Sequence, residues 1–139
     1  NQAVSNEDFA KTICEAMIEV NPDTVLVALA GSPWVTIAKE MGLRVAREIF
    51  SDRAVNTDGS LVPRSSTGAV IHQVDEVVER VIKMVTQGLI TTISGEEIEV
   101  EAESLCIHGD TPGAVDIAST LRKELELANV SIVPLGEIV

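Results

Sequence analysis

His108, Gly109 and Asp110 stand directly after the short apolar run Leu105-Cys106-Ile107. A histidine at the end of a buried strand can carry a proton or act as a ligand. Gly109 permits a close backbone approach or a positive φ, and Asp110 adds a carboxylate. The structural alternative is that Asp110 caps the next helix and His108 is a satisfied hydrogen-bonding residue. A second group, Glu48, Asp52 and Arg53, brackets Ile49-Phe50-Ser51. Two carboxylates and a guanidinium at a strand end can do acid–base chemistry or hold an amide-bearing substrate. Its alternative is a solvated turn with a surface ion pair. Gly31-Ser32 and Pro134-Leu135-Gly136 mark two further strand ends. His72 reads as a site residue or as a capping or packing residue. Arg64 binds an anion only if its loop folds over the site. No phosphate loop of the GxxxxGK type is present, so the chain carries no self-sufficient nucleotide signature.

These residues must be positioned by the elements around them. Ser5 reads as a helix cap with acids in the first turn, followed by Phe9, Ile13, Met17 and Val20 at helical spacing. Residues 24–29 are a continuous apolar run, the pattern of a strand covered on both faces. Ser32 as cap and Pro33 at the first position open a short helix, and residues 43–48 alternate as a strand. Residues 51–68 are polar, rich in Gly, Ser and Pro, and read as a long loop with little to bury. A helix over residues 74–87 ends at Gly88, and residues 89–93 and 98–100 form a hairpin. Residues 105–108 form a strand, Thr111 caps a helix over residues 114–127, and residues 130–133 form a last strand. Alternating strands and helices predict a mainly parallel sheet with helices outside. In such folds ligands gather at the C-terminal strand ends, where the polar residues named above fall.

Bulk properties narrow the functions. The chain has 139 residues, 45% of them apolar, and a formal net charge of −12. That charge argues against nucleic-acid or anionic-membrane partners, which need a basic face. Aromatic residues are limited to Trp34, Phe9 and Phe50. Cys14 and Cys106 lack a metal-ligand spacing and read as free thiols of a reducing cytoplasm. No apolar run approaches the roughly 20 residues a membrane span needs.

The stretch from Leu105 to Ala114 closely resembles the C-terminal signature of the LamB/YcsF family. Leu29-Ala30-Gly31-Ser32, residues 43–53, residues 58–64 and Gly68-Ala69-Val70-Ile71-His72 are similar to further family segments, in the family's order. The family's N-terminal motifs are not complete here, and Asn1-Gln2 falls where the last of them ends. Val55 stands where the family carries an aromatic. The resemblance implies part of a distorted (β/α) barrel of the glycoside hydrolase/deacetylase type. Residues 1–139 would be a single domain, the C-terminal portion of a larger barrel whose N-terminal part is absent, and would expose an apolar interior. It further implies ATP-dependent opening of the lactam 5-oxo-L-proline to L-glutamate, with 5-oxoprolinase subunits B and C as partners. ATP, with Mg, is the expected co-substrate, and no tightly bound metal is expected. This piece alone would be inactive, and a homo-oligomer is compatible with the pattern. His108, Asp110, Glu48 and Asp52 are the expected catalytic residues, and Arg53, Gly31, Ser32, Gly109, His72 and Arg64 the expected substrate-binding ones. Two rival readings are a metal-dependent deacetylase or carbohydrate hydrolase and a non-catalytic assembly module.

Overall fold

A computed structural model describes residues 2–139, so Asn1, which the resemblance includes, lies outside the described residues. The elements follow the chain as α1 (Gln2–Ser5), α2 (Glu7–Val20), β1 (Val25–Leu29), α3 (Pro33–Glu40), β2 (Arg44–Phe50), α4 (Val74–Gln87), β3 (Leu89–Thr91), β4 (Glu97–Glu99), β5 (Ser104–Cys106) and α5 (Ala114–Leu127). A 3₁₀ turn, Leu135–Glu137, comes last. One sheet has the order β1-β2-β5, and β3 and β4 form a second. The residues fall into two compact units. One comprises the chain up to Ile49 with Ala102–Ser104 and Pro134–Val139, the other Phe50–Glu101 with Leu105–Val133.

In the first unit, β1 and β2 run parallel, in register from Val25↔Arg44 to Leu29↔Glu48. A parallel pair needs a crossover, and α3 provides it. Cys14, Leu26, Ala28, Val35, Ala38 and Val45 form the core. The side chain of Asn6, not Ser5, caps α2 by accepting the Phe9 N–H at 3.0 Å, because Ser5 is already the last residue of α1. The buried face of α2 centres on Ala10 and Cys14, so Phe9 and Val20 lie outside it. The expectation of a strand covered on both faces also needs correction. Val27 is 39% exposed between buried Leu26 and Ala28, so β1 is covered on one face only.

Glu103 fastens itself to β2. Its carboxylate accepts the Arg47 backbone N–H at 2.7 Å and Arg47 Nε at 3.0 and 3.1 Å, and pairs with Nη2. These bonds, Arg47's side chain foremost, hold the Glu103 carboxyl below its ordinary range against the opposing effect of burial. A depressed carboxyl pKa adds stability above the unfolded value and loses it as pH falls through the folded one. Glu103→Gln is therefore expected to cost about 1–2 kcal/mol at pH 7, allowing for solvent screening. The difference from the parent should shrink below the unfolded value of about 4.3. Urea titrations at pH 7 and pH 3 check this, and an equal deficit at both would show that the charge is not the cause.

In the second unit, α4 packs on α5 through Val77, Val81, Ile117 and Leu121, all fully buried. Gly88, in the left-handed region at φ +67°, ends α4. The hairpin pairs Leu89↔Glu99, Ile90↔Ile98 and Thr91↔Glu97. The polar stretch over residues 51–68 is not loosely packed at its start. Ser51, Asp52, Arg53, Ala54 and Val55 are buried, Ala54, Val62 and Ala69 cluster, and bridges join Arg53 to Val70 and Val55 to Leu61. Small apolar residues scattered through a polar stretch carry no periodicity, yet they suffice for a local core. The strand expected over residues 130–133 does not form. The N–H of Val130 returns to Leu125 O at 2.9 Å, Ile132 and Val133 are exposed, and among the described residues no strand pairs with them. No helix among the described residues is long and apolar enough to cross a membrane.

Candidate active site

β2 ends at Phe50 and β5 at Cys106. The turns that follow these two strands bring Asp52 and His108 together. His108 Nδ1 lies 2.7 Å from Asp52 Oδ1, and the Thr111 hydroxyl donates to Asp52 Oδ2 at 2.8 Å. Ser51 N–H donates to Cys106 O at 3.1 Å, fixing the two segments where the pair begins. Phe50 stacks on the imidazole with ring centres 5.4 Å apart and planes 12° from parallel.

The chemistry of the pair follows from its donors and acceptors. Asp52 is 2% exposed, and a buried carboxylate needs hydrogen-bond partners. Thr111 and His108 supply them. A carboxylate accepts and cannot donate, so Nδ1 carries the hydrogen and Nε2 keeps its lone pair in the neutral ring. Nε2 has no hydrogen-bond partner among the described residues and is not sealed from solvent. An imidazole oriented in this way by a carboxylate can accept a proton at Nε2 and later return it.

The other candidates divide. Arg53 points its guanidinium inward, donating from Nη2 to Val62 O at 2.7 Å and from Nε to Ala69 O at 3.4 Å. Burial lowers its pKa, the nearby Arg64 charge adds to that, and Asp52 opposes it. Arg64 is exposed, so it is the better placed of the two arginines to meet an anion. Asp110 is exposed in the turn that Thr111 N–H closes on His108 O at 3.2 Å. Gly109 has open space around it and no left-handed φ. Neither its backbone nor its neighbours in this chain require a glycine. His72 is exposed and follows Ile71, whose N–H donates to Asp52 O at 2.8 Å. Glu48, Gly31 and Ser32 belong to the first unit. Ser32 occupies the N-cap position of α3 as expected, but its hydroxyl turns back to Leu29 O at 2.7 Å rather than capping. Gly31, at φ +77°, makes the left-handed turn before it.

Thr111 and Phe50 are not legible in the sequence as site residues. The spacing makes Thr111 a cap for α5, but Gly113 occupies the N-cap at φ +80° and the helix begins at Ala114. Pro112-Gly113 sets that start, which releases the Thr111 hydroxyl to Asp52. Nothing in a single sequence distinguishes a threonine that caps from one that reaches a residue 59 positions away.

The sequence profile of the LamB/YcsF family matches residues 1–139. The chain is 48% identical over its whole length to a 5-oxoprolinase A-subunit of Pyrococcus furiosus, covering 54% of that protein. It is 49% identical over 135 residues to one of Coprothermobacter proteolyticus, covering 97% of this chain and 52% of the relative. It thus spans about half the length of the curated relatives it matches. Among solved structures, a lactam utilization protein from Thermus thermophilus superposes with a TM-score of 0.85 at 35% identity, over 94% of this chain and 52% of the other. The α/β fold with parallel strands expected from the sequence is therefore confirmed, as part of the fold of that larger protein.

Proposed function

The chain belongs to the LamB/YcsF family, and from that premise we propose that it is a portion of the A-subunit of an ATP-dependent 5-oxoprolinase. The whole protein, with subunits B and C, would open 5-oxo-L-proline to L-glutamate as ATP is hydrolysed. The observation that carries the site assignment is the Asp52–His108 pair at the ends of β2 and β5, with Thr111 on the second carboxylate oxygen. Support for the substrate comes from the relatives named as 5-oxoprolinase A-subunits and the solved neighbour named for lactam utilization.

A lactam is a stable amide, and its opening needs an activated carbonyl, a water and a proton for the departing ring nitrogen. ATP would supply the activation. His108 Nε2 accepts the proton of the attacking water and delivers one to the ring nitrogen as the C–N bond breaks. Asp52 keeps the imidazole in the required tautomer, and Thr111 keeps Asp52 from turning. Asp110 and Arg64, both exposed, are proposed to face the substrate, Arg64 toward a carboxylate or phosphate oxygen. Mg²⁺ would enter with ATP as part of the co-substrate. Cys14 and Cys106, neither of them in a disulfide, suit a cytoplasmic setting.

The test is glutamate formation from 5-oxoproline by the full-length protein with its partner subunits. Turnover that requires both ATP and the full-length protein is expected. Full turnover from the other subunits without it would refute the proposal.

A further inference from the structure

Arg80 sits on α4, and among the described residues it has no carboxylate within ion-pair distance. Its side chain is largely withdrawn from water, which pushes its pKa down, and the charge of Glu76 opposes this only in part. Its Nε is buried with no hydrogen-bond partner. Its two other nitrogens serve the backbone: Nη1 donates to Thr91 O at 2.8 Å and Nη2 to Arg53 O at 2.9 Å. An unpaired, partly desolvated cation is unfavourable, so what it holds matters.

It holds the carbonyl of Arg53, the residue next to Asp52. The carbonyl of Asp52 itself accepts the Ile71 N–H at 2.8 Å, and the Arg53 side chain is committed to Val62 and Ala69. The backbone that follows the Asp52 carboxylate is therefore held at two successive carbonyls, Asp52 O by Ile71 and Arg53 O by Arg80. Lys83, one turn along α4, reaches among the described residues the Thr91 hydroxyl, at 3.2 Å, and Glu97, so it does not duplicate the bond to Arg53.

We infer that Arg80 is a positioning residue for the Asp52–His108 pair, fixing the Asp52 turn so that its carboxylate meets Nδ1. This rests on reading that pair as the working centre. A displacement of about 1 Å at a catalytic group can lower a rate by about 10²-fold. The test uses Arg80→Met and Arg80→Lys in the full-length protein with its partner subunits. It reads turnover, circular dichroism and the downfield proton resonance of His108 Nδ1–H, assigned by its loss in His108→Gln.

Arg80→Met is expected to keep its helical signal, lose or broaden that resonance, and turn over about 10- to 100-fold more slowly. Arg80→Lys should restore only part of both, because one ammonium does not reproduce a planar fork bridging two carbonyls. A sharp, unmoved resonance with normal turnover in Arg80→Met, whatever its melting temperature, overturns the inference. If Arg80→Met does not fold, Arg80→Lys decides alone, and an unmoved resonance and rate there also overturn it. Normal turnover in His108→Gln would instead refute the catalytic reading of the pair. The resonance would still report whether Arg80 places Asp52.

Discussion

Replacing His108 with Gln in the full-length protein is expected to lower 5-oxoproline turnover by about 10²- to 10⁴-fold, the usual worth of a positioned acid–base group. It should also cost about 1–3 kcal/mol of stability, because the buried Asp52 carboxylate loses one of its donors, too little to account for the fall in rate. Asp52→Asn should approach the same loss by a different route. An asparagine amide can donate to Nδ1, which places the hydrogen on Nε2 and removes the lone pair that accepts the proton. The two variants should therefore be far from additive when combined, because both disable one unit. Asp110→Asn separates the neighbouring acid. Its side chain is exposed and does not cap α5, so its stability should stay within about 0.5 kcal/mol of the parent. Any fall in its turnover then reports contact with the substrate. If His108→Gln keeps its rate while Asp110→Asn loses it, the acid–base role moves to Asp110.

Arg53→Met should destabilise the protein by about 1.5–3 kcal/mol, the usual worth of a hydrogen bond to a charged group, because Val62 O loses the guanidinium as donor while Ala69 O keeps the Ala54 N–H. Val62 and Ala69 are both in the cluster that gives residues 51–70 their own core. Chemical unfolding of the variant beside the parent measures it. An unchanged midpoint with a raised KM for 5-oxoproline would show that Arg53 serves the substrate.

How far the sequence discloses this arrangement depends on the distance over which each signal acts. Helix α4 and the hairpin after it are written locally, in a 3.6-residue apolar period, a closing glycine and two short runs around Ser94-Gly95, and both form as expected. The strand ends also carry information. Asp52 and His108 are each candidates because each follows an apolar strand, and the structure adds the bond between them. That bond joins residues 56 positions apart, and no periodicity encodes such a distance. The same limit explains Arg53, whose charge suggests a ligand while its partners are two backbone carbonyls. Residues 130–133 fail for the complementary reason: β-branched composition favours a strand, but a strand exists only where another offers a ladder.

The parallel stacking of Phe50 on His108 sets a direction of approach. One face of the imidazole is shielded by a hydrocarbon ring, and the Nδ1 edge is tied to a carboxylate. Tilting the ring out of its plane would drive it into the phenyl group, so the freedom left to it is to slide or swivel within that plane. Whatever exchanges a proton with Nε2 must therefore come in edge-on, along the lone pair. A flat five-membered lactam lying parallel to the imidazole would find its nitrogen out of line, whereas one standing upright against that edge would present it end-on.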